Sequence, residues 1–114
     1  MKLSELTSKI EGKVITGHSL LENEVEYAFA SDLMSDVLTV DKEDILLITG
    51  LNNLQTIRTA EMADIRFIIF ARNKKVNCDI KELAEENNIA VIECPWSVFK
   101  TSGVIYQLGI KPLF

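Results

Sequence analysis

Two short segments that follow apolar runs carry the side chains best suited to bind an anion. Gly50-Leu51-Asn52-Asn53 follows the run Ile45–Thr49, and Arg72-Asn73 comes just after the run Phe67–Phe70. A glycine before a helix start offers free backbone N–H groups and the positive end of the helix dipole. Arg58 would lie just over one turn into that helix. The sequence therefore predicts a site for phosphate or a nucleotide, formed by Gly50, Asn52, Asn53, Arg58, Arg72 and Asn73.

The same residues also have a purely structural interpretation. Asparagine is a favoured N-cap residue, and glycine permits a tight turn. The basic segment Arg72-Asn73-Lys74-Lys75 could equally be a solvated loop. Neither a GxGxxG nor a GxxxxGK[ST] spacing is present, so no dinucleotide fingerprint or P-loop is predicted. An anion site and an ordinary helix start both remain open interpretations of this loop.

No group of residues in the sequence predicts catalysis or metal binding. His18 is the only histidine, and no Ser/His/Asp set can be assembled without it. Cys94 precedes a helical pattern and could be a reactive thiolate, but a buried thiol is favoured because no partner residue accompanies it. Cys78 and Cys94 form no CxxC pair, and zinc would need more soft ligands. We predict a protein that is not an enzyme and holds no metal or cofactor.

Composition restricts the classes of partner. The net charge of −5 argues against nucleic acid, which normally requires a clustered positive surface. No apolar stretch is long enough to cross a bilayer, so no membrane association is expected. The start of the chain lacks the apolar core of a signal peptide, which makes the cytoplasm the default location. A length of 114 residues without a linker-like segment predicts one domain over residues 1–114.

Three apolar runs, each followed by a helical pattern, are predicted to position the candidate loops. They are Ile45–Thr49, Phe67–Phe70 and Val91–Glu93, spaced by about 22 residues, which suits strand–helix–strand crossovers. Runs that are apolar on both faces are typical of parallel strands covered by helices on each side. The pattern predicts an α/β three-layer sandwich with a mostly parallel mixed sheet. In such sheets the loops at the strand C-termini commonly bind ligands.

The N-terminal half supplies the outer elements of this sheet. Leu3–Ile10 has the periodicity of a helix, which Gly12 is predicted to end with a positive φ. Lys13–Thr16 is short and β-branched, as in a strand. The alternation over Glu24–Phe29 predicts a half-exposed strand near a sheet edge. Asp32 is predicted to cap the helix that follows.

Helix caps also mark the C-terminal half. Asp79, with a glutamate three residues later, predicts a capping-box start for one helix. Ser97 is predicted to cap a final helix that carries Phe99 among its apolar residues and ends at Gly109. The stretch Thr101-Ser102-Gly103 could accept a phosphate, but within this helix it is predicted instead to permit close packing against the sheet.

The order of elements resembles that of the DRTGG domain family. The resemblance extends from about Lys13 to Ile110. It rests on Thr49-Gly50, the helix Gln55–Glu61, Phe70-Ala71, the segment Leu83–Ile89 and Cys94-Pro95. It implies a fold similar to the N-terminal domain of HPr kinase/phosphorylase. It also implies a regulatory or dimer-forming module, because such domains lie beside nucleotide-sensing CBS domains and catalytic domains.

Three functional hypotheses follow from the residues and the resemblance together. The first is a non-catalytic regulatory module of bacterial signalling or metabolism, forming a homodimer through Glu24–Phe29 or the final helix and acting on a partner signalling protein. The second is a sensor that binds a nucleotide or other anionic small molecule at Gly50–Asn53. The third is a phosphorelay component on a similar scaffold.

Overall fold

A computed structural model describes the whole chain, residues 1–114, as a six-stranded sheet flanked by helices. The strands are β1 (Lys13–Thr16), β2 (Tyr27–Ala30), β3 (Ile45–Thr49), β4 (Phe67–Phe70), β5 (Ala90–Glu93) and β6 (Lys111–Pro112). The α-helices are α1 (Leu3–Lys9), α2 (Met34–Val37), α3 (Leu54–Met62), α4 (Cys78–Glu86) and α5 (Val98–Gln107). None of these helices has the length and apolar character needed to cross a membrane.

The sheet is mixed but mostly parallel, with the strand order β1-β5-β4-β3-β2-β6. Every neighbouring pair is parallel except β1 and β5, which are antiparallel. The predicted α/β three-layer sandwich is thereby confirmed. Four adjacent parallel strands, β2 to β5, end at the same edge of the sheet, and this edge carries the candidate loops.

The two faces of the sheet bury separate apolar cores because side chains alternate along each strand. Helices α1 and α5 cover one face, and α2, α3 and α4 cover the other. Within β3, Leu46 and Ile48 belong to the first core, whereas Ile45 and Leu47 belong to the second. All five residues of β3 are buried, as two-sided coverage requires.

Several local predictions for the N-terminal half are wrong in detail. The positive φ after α1 belongs to Glu11, at 56°, rather than to Gly12. The second strand begins at Tyr27 instead of Glu24, although it is half-exposed and lies next to the edge strand β6, as predicted. Asp32 does not cap α2, because the N-cap residue is Leu33 and makes no side-chain cap bond. The Asp32 carboxylate instead reaches the end of β3.

The C-terminal half follows the predicted boundaries with two corrections. Ser97 caps α5 by accepting a hydrogen bond from the Lys100 amide, and Gly109 follows the helix with φ of 97°. Helix α4, however, is capped by Asn77, one residue before the helix rather than by Asp79 within it. Of the stretch Thr101-Ser102-Gly103, Thr101 is fully buried as predicted, but Gly103 does not pack on the sheet, since a Cβ built there would meet no atom within 4 Å.

Candidate functional site

Four residues meet where β2, β3 and β4 end, and we call Asp32, Thr49, Gly50 and Arg72 the strand-end cluster. Asp32 follows β2, Thr49 and Gly50 close β3, and Arg72 follows β4. Parallel pairing of these three strands brings their carboxyl ends to one edge. Residues separated by up to 40 positions in sequence therefore lie together.

Asp32 joins the ends of two strands through hydrogen bonds. Its Oδ1 accepts one from Thr49 Oγ1 at 2.7 Å and one from the Gly50 amide at 2.8 Å. Thr49 Oγ1 in turn accepts from the Leu51 amide at 3.1 Å. The Gly50 N–H group, predicted from the sequence to be free for a ligand, is therefore already bonded to the Asp32 carboxylate. This tie between β2 and β3 fixes the path of the loop at Gly50.

These contacts lower the pKa of the Asp32 carboxyl. The Gly50 amide makes the largest contribution, the Thr49 hydroxyl adds to it, and the nearby positive charge of Arg72 contributes further, against the opposing effect of burial. Hydrogen bonds and positive charge both favour the ionised carboxylate. Asp32 is accordingly held as an anion at neutral pH.

The lowered pKa predicts how stability changes with pH. A carboxyl whose pKa is depressed by folding stabilises the native state above its unfolded pKa, and the stabilisation is lost as pH falls through the folded value. At about pH 7 we expect the free energy of unfolding of wild type to be larger than that of Asp32→Asn. This difference should become smaller as the pH falls below about 4. Urea unfolding across this range measures it. Asp41→Asn is the control, since Asp41 is exposed and lies between α2 and β3, outside the cluster.

A difference between wild type and Asp32→Asn that stays constant down to about pH 3 would contradict the ionic role of Asp32. The same constant difference would still be compatible with a loss of packing, so it would assign the stabilisation to shape instead of charge.

Gly50 leaves room for the side chain of Arg72. A Cβ on Gly50 would lie 2.8 Å from Arg72 Cδ and 3.1 Å from Nη1, so the arginine side chain rests against the bare Cα. Arg72 and Asn73 both have positive φ, at 63° and 57°. The Arg72 amide donates to the Trp96 carbonyl at 2.6 Å, and the Asn73 amide donates to the Cys94 carbonyl at 3.1 Å. This unusual backbone directs Arg72 back over β3.

Both asparagines of the candidate loop make hydrogen bonds to the backbone of this chain. Asn53 Oδ1 caps α3 by accepting from the Thr56 amide at 3.0 Å. Asn52 Nδ2 donates to the Lys75 carbonyl at 2.7 Å and so ties this loop to the one after β4. The helix-start interpretation therefore accounts for Asn53, and a loop-bridging role accounts for Asn52.

Arg58 lies apart from the strand-end cluster. It lines a groove between α3 and α4 in company with acidic residues of α4. The structure thus brings together Gly50, Asn52, Arg72 and the backbone of Asn73, but directs Arg58 elsewhere. Its place as a ligand residue stays a prediction from the sequence, with no contact in the structure that supports it.

A buried glutamate that was not predicted from the sequence holds the loop after β4. Glu93, at the end of β5, is only 7% exposed. Its Oε2 accepts from the Val76 amide at 2.8 Å, and Oε1 lies 3.7 Å from Lys75 Nζ. Neither Glu93 nor Asp32 was predicted from the sequence to lie at this edge. Because Glu93 ends β5 and Asp32 follows β2, a parallel arrangement of these strands would have predicted both positions.

The remaining chemistry-bearing residues lie outside this edge. Cys94 is buried, and its Sγ donates to the Ile10 carbonyl at 3.3 Å, as expected of a buried thiol. His18 is exposed at the opposite end of the sheet, in a polar cavity of about 360 Å³. No three His, Cys, Asp or Glu residues converge in a way that could hold a metal ion.

Comparison with known proteins identifies the family. The model of the DRTGG domain matches residues 5–108. The chain belongs to the DRTGG domain family. No curated protein matches the sequence. The family resemblance noted from the strand ends is thereby confirmed.

A solved structure of a DRTGG protein shares this fold. It contains the CBS and DRTGG domains of the regulatory region of Clostridium perfringens pyrophosphatase, complexed with the activator diadenosine tetraphosphate. The TM-score is 0.75 and the sequence identity 17%. The match covers 93% of this chain and 46% of that one, so this DRTGG chain spans about half the length of the clostridial structure.

Proposed function

We propose that this DRTGG chain is a non-catalytic regulatory module, folded as one domain over residues 1–114, that forms a homodimer through the outer face of α5. A regulatory role is supported by the family and by the regulatory region in which the clostridial DRTGG domain lies. The observation that carries self-association is the exposure of two aromatic side chains on α5. Phe99 is 88% exposed and Tyr106 is 67% exposed.

Phe99, Gly103 and Tyr106 form one stripe along α5, which we call the α5 face. Their spacings of four and three residues place them on the same side of a helix. Gly103 has open space around it, so nothing inside the protomer requires its small size. A glycine within a helix costs about 1 kcal/mol relative to alanine. Close packing of a second surface against α5 would explain why this position is glycine.

An apolar cavity adjoins the α5 face and could receive an aromatic side chain. Its volume is about 160 Å³, and it lies between the second half of α5 and strands β2 and β6. Its lining includes Ala28, Ala30, Ile105, Tyr106 and Pro112. In a two-fold dimer the same patch serves both copies, so Phe99 of each copy can fill the cavity of the other.

Charge distribution favours a second copy over a charged partner at this surface. Lys100 is the only charged residue in α5, whereas α4 carries five charged residues in nine. Depletion of charge with enrichment of aromatic residues is characteristic of the centre of an interface. The acidic remainder of the chain would repel another copy, which leaves the α5 face as the surface best suited to self-association.

Amide NMR on dilution tests this assignment. As the ¹⁵N-labelled protein is diluted from millimolar to micromolar concentration, we expect signals of α5, β2 and β6 to move. Signals of α3 and α4 on the opposite face serve as the internal control and should stay fixed. Movement confined to α3 and α4 would contradict the proposed interface.

Gly103→Ala should change folding and association in opposite directions. The added methyl meets no atom of the protomer, and alanine favours the helix, so the monomer should gain about 0.5–1 kcal/mol in stability. The same methyl would separate two closely packed α5 helices and weaken the dimer. Urea unfolding and light scattering over a concentration series measure the two effects. A dimer as tight as wild type would exclude Gly103 from the interface.

Ligand sensing is a second candidate function, favoured by one specific feature of the strand-end cluster. Arg72 has no carboxylate partner within 4 Å, although it lies at the edge where ligands of parallel sheets commonly bind. The clostridial relative is complexed with a dinucleotide activator. We propose that the dimer responds to an anionic small molecule bound at this edge, and that it passes the response to a partner signalling protein. Thermal unfolding with a panel of nucleotides tests this, since a ligand of the native state raises the melting temperature.

A further inference from the structure

We propose that the strand-end cluster, together with the lysines around it, binds an oligophosphate, and that the Arg72 guanidinium makes the main contact with its phosphate groups. The proposal rests on the ligand-sensing part of the proposed function and names the site and ligand class for it. It stands on three features of Arg72 and its surroundings: a fixed side-chain stem, a free guanidinium and a local excess of positive charge.

The stem of Arg72 is fixed by the backbone and by Gly50. The residue has φ of 63°, and its amide donates to the Trp96 carbonyl at 2.6 Å. Arginine gains nothing from this left-handed conformation, which costs about 1–2 kcal/mol. Its Cδ lies against Gly50, where any larger residue would displace it. The backbone of Arg72 is therefore held in place and its side chain lies over Gly50, which limits the directions in which the guanidinium can point.

The guanidinium at the end of this stem forms no ion pair within 4 Å. It makes no side-chain hydrogen bond, and Asp32, the nearby carboxylate, already accepts from Thr49 and Gly50. By contrast, Arg66 at the other end of β4 is paired with Asp44 at 2.7 Å. A guanidinium presents a planar fork of donors that matches two phosphate oxygens. Arg72 therefore offers an unused fork to an anion.

Positive charge is concentrated around Arg72 in an otherwise acidic protein. Lys74 and Lys75 follow it after Asn73, and Lys100 lies over the Trp96 ring at 4.2 Å from its centroid. With Asp32 and Glu93 as the local acids, the segment count is four cations and two anions, a balance of +2, and Lys75 is already paired with Glu93. The whole chain carries −5, so the remainder carries −7. Several cations around one arginine suit an anion with several charges, as an oligophosphate has.

Inorganic triphosphate and ATP are the two probes, because both present the shared oligophosphate chemistry. Isothermal titration of the full chain at low ionic strength measures the affinity of each. We expect both to bind wild type and Arg72→Gln to weaken binding at least tenfold. Gly50→Ala should weaken binding too, since its methyl displaces the Arg72 side chain. Thermal unfolding of each variant establishes that it remains folded.

Arg66→Gln is the matched control, because it removes the same charge from the opposite end of β4. Its affinity for both probes should equal that of wild type. Tighter binding of ATP than of triphosphate would identify a nucleotide ligand, and equal binding would identify the phosphate chain itself; both support the site.

The titrations distinguish the loss of the oligophosphate site from the loss of ligand sensing as a whole. If neither probe binds wild type, the oligophosphate site is overturned, while a nucleotide panel still tests sensing of other anions. If binding occurs and Arg72→Gln retains it, the site is overturned and sensing survives. If Arg66→Gln loses as much as Arg72→Gln, binding is general charge attraction and the site is overturned.

Discussion

Phe99→Glu should convert the proposed dimer into a monomer without harm to the fold. Phe99 is 88% exposed in the protomer, so its replacement removes no intramolecular packing of consequence. In a two-fold interface each copy loses one aromatic anchor, at about 2 kcal/mol apiece. The total of about 4 kcal/mol weakens the dimer about 1,000-fold. Sedimentation velocity across a concentration series measures the change.

Met62→Glu is the matched control for this substitution. Met62 is 68% exposed on α3, on the opposite face of the sheet, so the same charge is introduced away from the α5 face. Its sedimentation should match that of wild type. Equal loss of dimer in both variants would show that added negative charge alone disperses the protein, and the α5 face would lose its assignment.

Gly17→Ala should bring the protein close to global unfolding. Gly17 has φ of 78°, and a Cβ there would lie 2.4 Å from the Cα of Ala90. The obstacle is backbone, which cannot rotate away as a side chain can. Conformational strain and overlap together predict a loss of about 4 kcal/mol, in the range of the most damaging single substitutions. Urea unfolding measures it.

Gly109→Ala separates the two contributions to this loss. Gly109 also has a positive φ, 97°, but a Cβ there would meet nothing within 4 Å. It should cost about 1–2 kcal/mol, which is the price of the left-handed backbone alone. If the two variants lost equal stability, the close approach of β1 to β5 at Ala90 would not be what requires Gly17.

Strands that are apolar on both faces could be predicted from sequence, and so could the loops that follow them. β3 and β4 were located to the residue because a run such as Phe67–Phe70 is buried on both sides and has no competing amphipathic pattern. Asn53 as the cap of α3 was predicted by the same local chemistry that the structure uses. Local rules suffice where the partner lies within one turn.

Asp32 shows where local rules fail. An aspartate before an apolar helical pattern favours an N-cap, but here the amide of Gly50, 18 residues away, donates a hydrogen bond to the carboxylate instead. That choice depends on β2 lying parallel to β3, which no nearby residue specifies. The short strand Lys111–Pro112 was missed for a related reason, because two residues carry no periodicity.

The exposure of Phe99 also lay beyond a sequence-based prediction. Helical periodicity groups apolar residues but does not say how wide a stripe the sheet can cover. In the structure α5 buries Thr101 and Ile105 and turns Phe99 and Tyr106 outward. An exposed apolar residue on a helix is therefore informative only after the fold is known, and here it supports the proposed interface.

Sedimentation equilibrium of the wild-type protein tests the proposed self-association most directly. The protomer mass is 12.8 kDa. We predict twice this mass at high micromolar concentration, with a reversible return toward the protomer mass on dilution. A mass of 12.8 kDa that persists to millimolar concentration would contradict the homodimer and, with it, the function assigned to the α5 face.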